Sequence, residues 1–185
     1  MGGMTINASQ IPFNGVDYPV PEDKIAISTA AIHADIPNLN GDLIPWKELE
    51  KAAPQYIGCQ NVFVDHVTPE DGAYGLHSPN KVESRGEVVD AYCDPEDKCL
   101  YLLIFVDKEF PELAEAVLTG ALNAVSFGAN ADIVCGICGK TDCSHIDNRG
   151  MDGNFDIMKN IEFSEISIVF DPADPLALFK GVVAC

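Results

Sequence analysis

Residues 161–170 read IEFSEISIVF, with apolar and polar side chains in near-strict alternation. A period of two marks a strand with one face on a core and the other turned away from it. Such a strand cannot stand alone, because its backbone N–H and C=O groups need ladder partners. The rest of the chain must therefore supply strands.

It does. Residues 24–32 (KIAISTAAI) are small and β-branched, and residues 61–65 (NVFVD) form a short apolar run that delivers His66. Residues 86–92 and 98–106 flank Asp94-Pro95-Glu96-Asp97, the signature of a hairpin. Residues 122–127 and 131–134 read as strands around Gly128. Two segments read as short helices instead. Residues 46–53 have Pro45 ahead of them and Pro54 as a stop, and residues 111–119 start at Pro111 and end before Gly120. Polar residues 67–84 form a long loop. The expected fold is mostly β with a few flanking short helices. With six or seven strands, a closed or partly closed barrel is the natural architecture, because closure removes exposed strand edges.

The 185 residues suit one domain, and 47% hydrophobic with 22% charged residues is a globular composition. Residues 1–22, polar and rich in Gly, Asn and Pro, read as a flexible N-terminal arm. Residues 23–185 read as one domain with an excursion at 135–158. Eleven basic against 29 acidic residues give a net charge of −18. That balance excludes broad nucleic-acid binding and docking on anionic membranes, both of which need Lys and Arg. The longest apolar run, 100–106, is strand length and far short of the roughly 20 residues of a transmembrane helix. The start has neither a basic nor an apolar signal region, so a cytoplasmic, reducing setting is expected.

Three of the seven cysteines fall within nine residues, as Cys135-x2-Cys138-x4-Cys143-x-His145. Two thiols three positions apart can aim at one ion across a tight turn, eased by Gly136 and Gly139. Cys143 and His145 point the same way if extended. Three thiolates and an imidazole complete a tetrahedral Zn²⁺ shell with no open position, which makes a structural site. Free or disulfide-paired cysteines in a flexible loop are the competing reading.

Three further residues are of the types a serine hydrolase needs. His66 ends a strand. Ser126 lies in an apolar strand two residues before Gly128, where backbone N–H groups can form an oxyanion hole. Glu165 sits in the alternating strand, on the face expected to hold Phe163 and Ser167; Glu162 is the competing carboxylate. Spacing alone does not bring these segments together.

Four segments resemble the prohead (capsid maturation) proteases of tailed bacteriophages, relatives of the herpesvirus assemblin serine proteases. They are Asn38–Asp42 with the following helix, Gly58–His66, Ala124–Gly128, and Glu165–Val169 with Pro172–Ala177. The resemblance implies an assemblin-like fold with His66 as general base, Ser126 as nucleophile and Glu165 as the orienting acid. It makes the Cys135–His145 segment a zinc-stapled insertion. Implied substrates and partners are scaffold proteins and capsid protein of the prohead, in the host cytoplasm, inside the prohead or virion. It leaves room for a homo-oligomer. The alternative is a catalytically silent, zinc-stapled structural protein of the virion head built on the same fold.

Overall fold

The computed structural model describes residues 9–66, 76, 83–151 and 153–185. Most of the loop expected at 67–84 lies outside the described residues. Among the described residues ten strands and two α-helices follow in order: β1 (Gln10–Phe13), β2 (Val16–Pro19), β3 (Lys24–His33), β4 (Asp42–Leu43), α1 (Trp46–Ala52), β5 (Val62–Val64), β6 (Gly86–Asp94), β7 (Cys99–Asp107), α2 (Pro111–Thr119), β8 (Ala124–Cys135), β9 (Asp156–Val169) and β10 (Phe179–Ala184). The fold is mostly β, with short helices at its margins. No helix among the described residues is long and apolar enough to cross a membrane.

One sheet has the order β10-β3-β7-β6, antiparallel throughout. The second is built on β9. Along one edge β9 pairs antiparallel with β8; along the other it pairs parallel with β4 at Asp156–Ile157 and with β5 at Ile166–Ile168. Between the sheets lies the main core, where Ile25, Ile27, Leu102 and Ile104 share one buried cluster with Val125, Ile166 and Ile168. Each such side chain contributes roughly 1.5–3 kcal/mol by leaving water.

The expected closed barrel is not formed. The ladders fall into separate sheets, joined at their margins by a few backbone bonds. On one side Val125 N donates to Ala177 O (3.0 Å) and Ala30 N to Leu178 O (3.2 Å); on the other Arg85 N donates to Val62 O (2.7 Å). The 3-residue β5 and 2-residue β4 are too short to carry a continuous ladder around.

The flexible arm expected over residues 1–22 is also corrected from Gln10 onward; residues 1–8 lie outside the described residues. β1 and β2 form a hairpin about Asn14-Gly15, both with positive φ (48° and 75°). Asn-Gly is the preferred pair for a two-residue hairpin turn. Ile11, Phe13 and Val20 are buried against Ala26, Leu103 and Phe105 on the outer face of the first sheet. The unbroken apolar stretch of β7 is thereby explained: Leu102 and Ile104 serve the main core, Leu103 and Phe105 the second one. A strand covered on both faces loses its alternation.

β8 is a single strand where two were expected, because bulges beside Gly128 and near Asp132 bend the pair without breaking it. Its register steps from Gly128↔Glu165 to Ala129↔Phe163, leaving Ser164 as the extra residue. Phe163 therefore lies in the main core with Ile166 and Ile168, not on the face of Glu165 and Ser167. α1 ends at Ala52, just before Pro54 as expected, and the chain goes on into a short 3-10 turn over Ala53–Tyr56.

Candidate active site and metal cluster

Ser126 and Glu165 meet because β8 and β9 pair in one register. Ser126 lies across from Ser167 and Gly128 across from Glu165, so Ser126 and Glu165 are diagonal neighbours on one face. Glu165 crosses that face over Gly128. A Cβ at Gly128 would stand 2.7 Å from Glu165 Cγ and 2.8 Å from its Oε1, so only glycine leaves room. β5, on the far edge of β9, supplies the third residue. Asp65 N donates to Ile168 O (3.2 Å), and Asp65 then takes a positive φ of 59°. The chain turns out of the ladder there, and His66 swings over the sheet.

His66 Nε2 lies 3.0 Å from Ser126 Oγ, and its Nδ1 hydrogen-bonds Glu165 Oε1. With the carboxylate accepting the Nδ1 proton, the Nε2 lone pair faces the serine hydroxyl. Glu165 is 3% exposed. Its Oε2 lies 2.6 Å from Ser167 Oγ, which is also 2.7 Å from Asp65 O; the single hydroxyl proton serves either acceptor. Hydrogen bonding to Glu165 raises the His66 pKa above its ordinary 6.5, partial burial opposes this, and the Glu165 and Asp65 charges add to the rise. Glu162 is exposed, across from Asn130, and takes no part.

Ser167 was not singled out in the sequence, although it lies two residues from Glu165 and so on its face. A second clasp also escaped notice. Asp174 Oδ2 accepts from His33 Nδ1 (2.8 Å) and from His33 N (3.0 Å). It fixes the segment whose Ala177 carbonyl binds Val125 N, next to Ser126. The bonds to Asp174 and then Cys99 push the His33 pKa up to about 10.

His66 and Ser126 open onto a cleft of about 420 Å³ that runs along β8 to Asn38, Asn40, Asp42 and Arg149. On the edge away from β9, β8 has no ladder partner beyond Ala124 among the described residues.

The Cys3His cluster sits at the far end of the same β8–β9 hairpin. The ligand atoms of Cys135, Cys138, Cys143 and His145 all lie within 4.8 Å of one another. Cys138 Sγ is 3.4 Å from Cys143 Sγ, and His145 Nδ1 is 3.6 Å from Cys135 Sγ and 3.9 Å from Cys143 Sγ. Sulfurs 2.3 Å from a tetrahedral ion would be about 3.8 Å apart, so the set has the dimensions of a metal site. None of the seven cysteines is disulfide-bonded. Ile137 N and Cys138 N donate to Cys135 Sγ (3.4 and 3.5 Å). Burial raises the Cys135 thiol pKa, but these donors, with Cys138 and Cys143, outweigh it and leave the pKa at about 6. A thiolate is the form that binds a metal. Gly139 has the positive φ (72°) the turn needs, whereas Gly136 is required for space: a Cβ there would meet the Phe155 ring at 2.1 Å.

Comparison with family models, curated proteins and solved structures finds no match to this chain.

Proposed function

We propose that the protein is a serine endopeptidase. The observation that carries this is the continuous hydrogen-bonded chain Ser126 Oγ–His66–Glu165, open to a cleft at the serine end. Ser126 Oγ attacks a peptide carbonyl while His66 Nε2 takes its proton. His66 returns that proton to the departing amine, and an acyl-serine ester remains. Water, deprotonated by His66, then releases the acid and restores the serine. Glu165 stays ionised, fixes the imidazole tautomer and offsets its transient charge.

The backbone supplies the electrophilic part. Val125 N points to the edge of β8 away from β9, where it meets Ala177 O. Alternation along the strand sends the Phe127 N–H to the same edge, beside Ser126. It is the donor that would hold the oxyanion, a contribution on the order of 10²–10³ in rate. The open edge beyond it suits an extended peptide as an added strand.

The segments that resemble prohead proteases support scaffold and capsid-protein precursors as the substrates. The three-thiolate, one-imidazole donor set favours Zn²⁺, held without an open position and so structural.

The test is labelling of the purified protein with a fluorophosphonate and peptide mapping of the adduct, with Ser126→Ala as control. An adduct on Ser126, absent in the variant, is expected. A folded, zinc-loaded protein that gives no adduct would favour the catalytically silent structural protein instead.

A further inference from the structure

The loop that closes the metal cluster continues straight into the cleft. Four residues after His145, Arg149 lines the cleft with its side chain about half exposed. Among the described residues that line the cleft, it is the only Lys or Arg. Its Nη1 donates to Asp42 Oδ1 (3.2 Å) and lies 3.8 Å from Oδ2 of Asp156. Asp156 is fully buried beneath it, and neither of its carboxylate oxygens has a hydrogen-bond partner among the described residues. Nη2 and Nε of Arg149 have no partner among the described residues either. The guanidinium is thus anchored at one end by two carboxylates and free at the other.

The loop is also keyed to the opposite wall. Gly41 (φ 81°) and Gly150 (φ 74°) pack backbone to backbone, so that a Cβ on Gly41 would stand 2.4 Å from Gly150 N. Asp156 N donates to Gly41 O (2.7 Å). The Asn38–Asp42 turn is braced by Asn38 Oδ1, which accepts from Asn40 N and Asp42 N, both at 2.9 Å. The loop has almost no apolar core of its own: Ile137 and Met151 are exposed. What holds it shut is the Cys135–Cys138–Cys143–His145 cluster, with Phe155 over Gly136.

We propose that Arg149 is a substrate-binding residue, held over the distal end of the cleft by the metal-bound loop, where its free N–H groups grip an oxygen acceptor of the bound peptide. The inference rests on the endopeptidase reading above. β8 lines the cleft from Ser126 to Ile133, which at about 3.3 Å per residue is a little over 20 Å. The gripped group therefore lies about seven residues from the scissile bond. The acceptor is a side-chain carboxylate or a backbone carbonyl, since a guanidinium fork donates to both.

The test uses zinc-loaded protein and internally quenched decapeptides in which Asp, Gln and Lys are scanned through every position. Arg149→Ala is expected to lower kcat/KM about tenfold, through KM, and Arg149→Lys to restore part of the loss. Loss of a preference for Asp at one subsite identifies a carboxylate; an equal loss for all peptides identifies a carbonyl. Removing zinc by chelation should raise KM likewise, and Arg149→Ala should then add nothing further, because the two changes remove one contact. A fluorophosphonate, too small to reach the distal end, should still label Ser126. An intact adduct with KM and selectivity unchanged in Arg149→Ala overturns the inference and spares the endopeptidase. So does a full Arg149→Ala effect that persists in zinc-free protein. Absence of any Ser126-dependent adduct or cleavage overturns both.

Discussion

The serine-centred constellation and the cysteine cluster lie at opposite ends of one β hairpin, yet they are assembled in opposite ways. The four candidate metal ligands fall between Cys135 and His145, and a turn with one positive-φ glycine gathers most of them. His66 and Glu165 are 99 residues apart and meet only because β5 pairs with β9, and Ser126 joins them because β8 flanks the other edge of that strand. The first site draws its order from the ion it would hold, since its loop buries little. The second draws its order from a buried sheet. A local site should therefore fail locally and a ladder-built site should fail with its geometry, and four changes would break or sharpen that contrast.

The largest effect belongs to Glu165→Gln. The amide keeps the volume of Glu165 but not its charge, and should lower cleavage by about 10⁴ with the fold intact. It should also move the acid limb of the pH profile. In the proposed mechanism the base is neutral His66, so activity should fall as pH drops through a pKa that Glu165 raises above 6.5. Without the carboxylate that limb should shift to lower pH; an unmoved limb would remove Glu165 from the site. Next comes Gly128→Ala. Its methyl would push against Glu165 Cγ, and a displacement of about 1 Å at an orienting group costs on the order of 10² in rate. Single-turnover kinetics on the variant would read this directly.

Cys138→Ser acts on the other end of the hairpin. Limited proteolysis should nick the chain between residues 136 and 155, while the amides of the β3–β7 ladder keep their hydrogen-exchange protection. Global unfolding would show that the cluster supports the whole domain. The smallest effect concerns His33. Its pKa is raised in the folded state to about 10, so its bond to Asp174 stabilises fully below about 6.5 and is lost as pH rises toward 10. The loss should be roughly 2 kcal/mol at most, since the pair is partly solvated. Denaturant midpoints at pH 6 and pH 10 should differ in the wild type and converge in His33→Gln.

Local signals in the chain were readable. Pro111 and Gly120 bracket α2 at the expected residues, and the β6–β7 hairpin forms about its Asp-rich turn. Asn14-Gly15 carried the same kind of signal for the N-terminal hairpin, but the surrounding polar composition outweighed it. β10 was missed because it follows a Pro-rich segment and is short, at 6 residues. At the site, the residue types and their order were legible, but their convergence was not. Nothing local marks Asp65 for a positive φ or Ser164 as a bulge, and each of these redirects side chains around the site.

By itself the sequence determined a β-rich chain, the spacing of a four-ligand cluster and the helix bounded by Pro111 and Gly120. These depend on contacts a few residues long, where chain geometry leaves few choices. The tertiary structure alone decided which carboxylate faces His66 and which face Phe163 takes. It also decided that the sheets stay open and that the metal loop carries Arg149 into the cleft. Side-chain direction along a ladder depends on a count of residues across it, and one bulge changes that count.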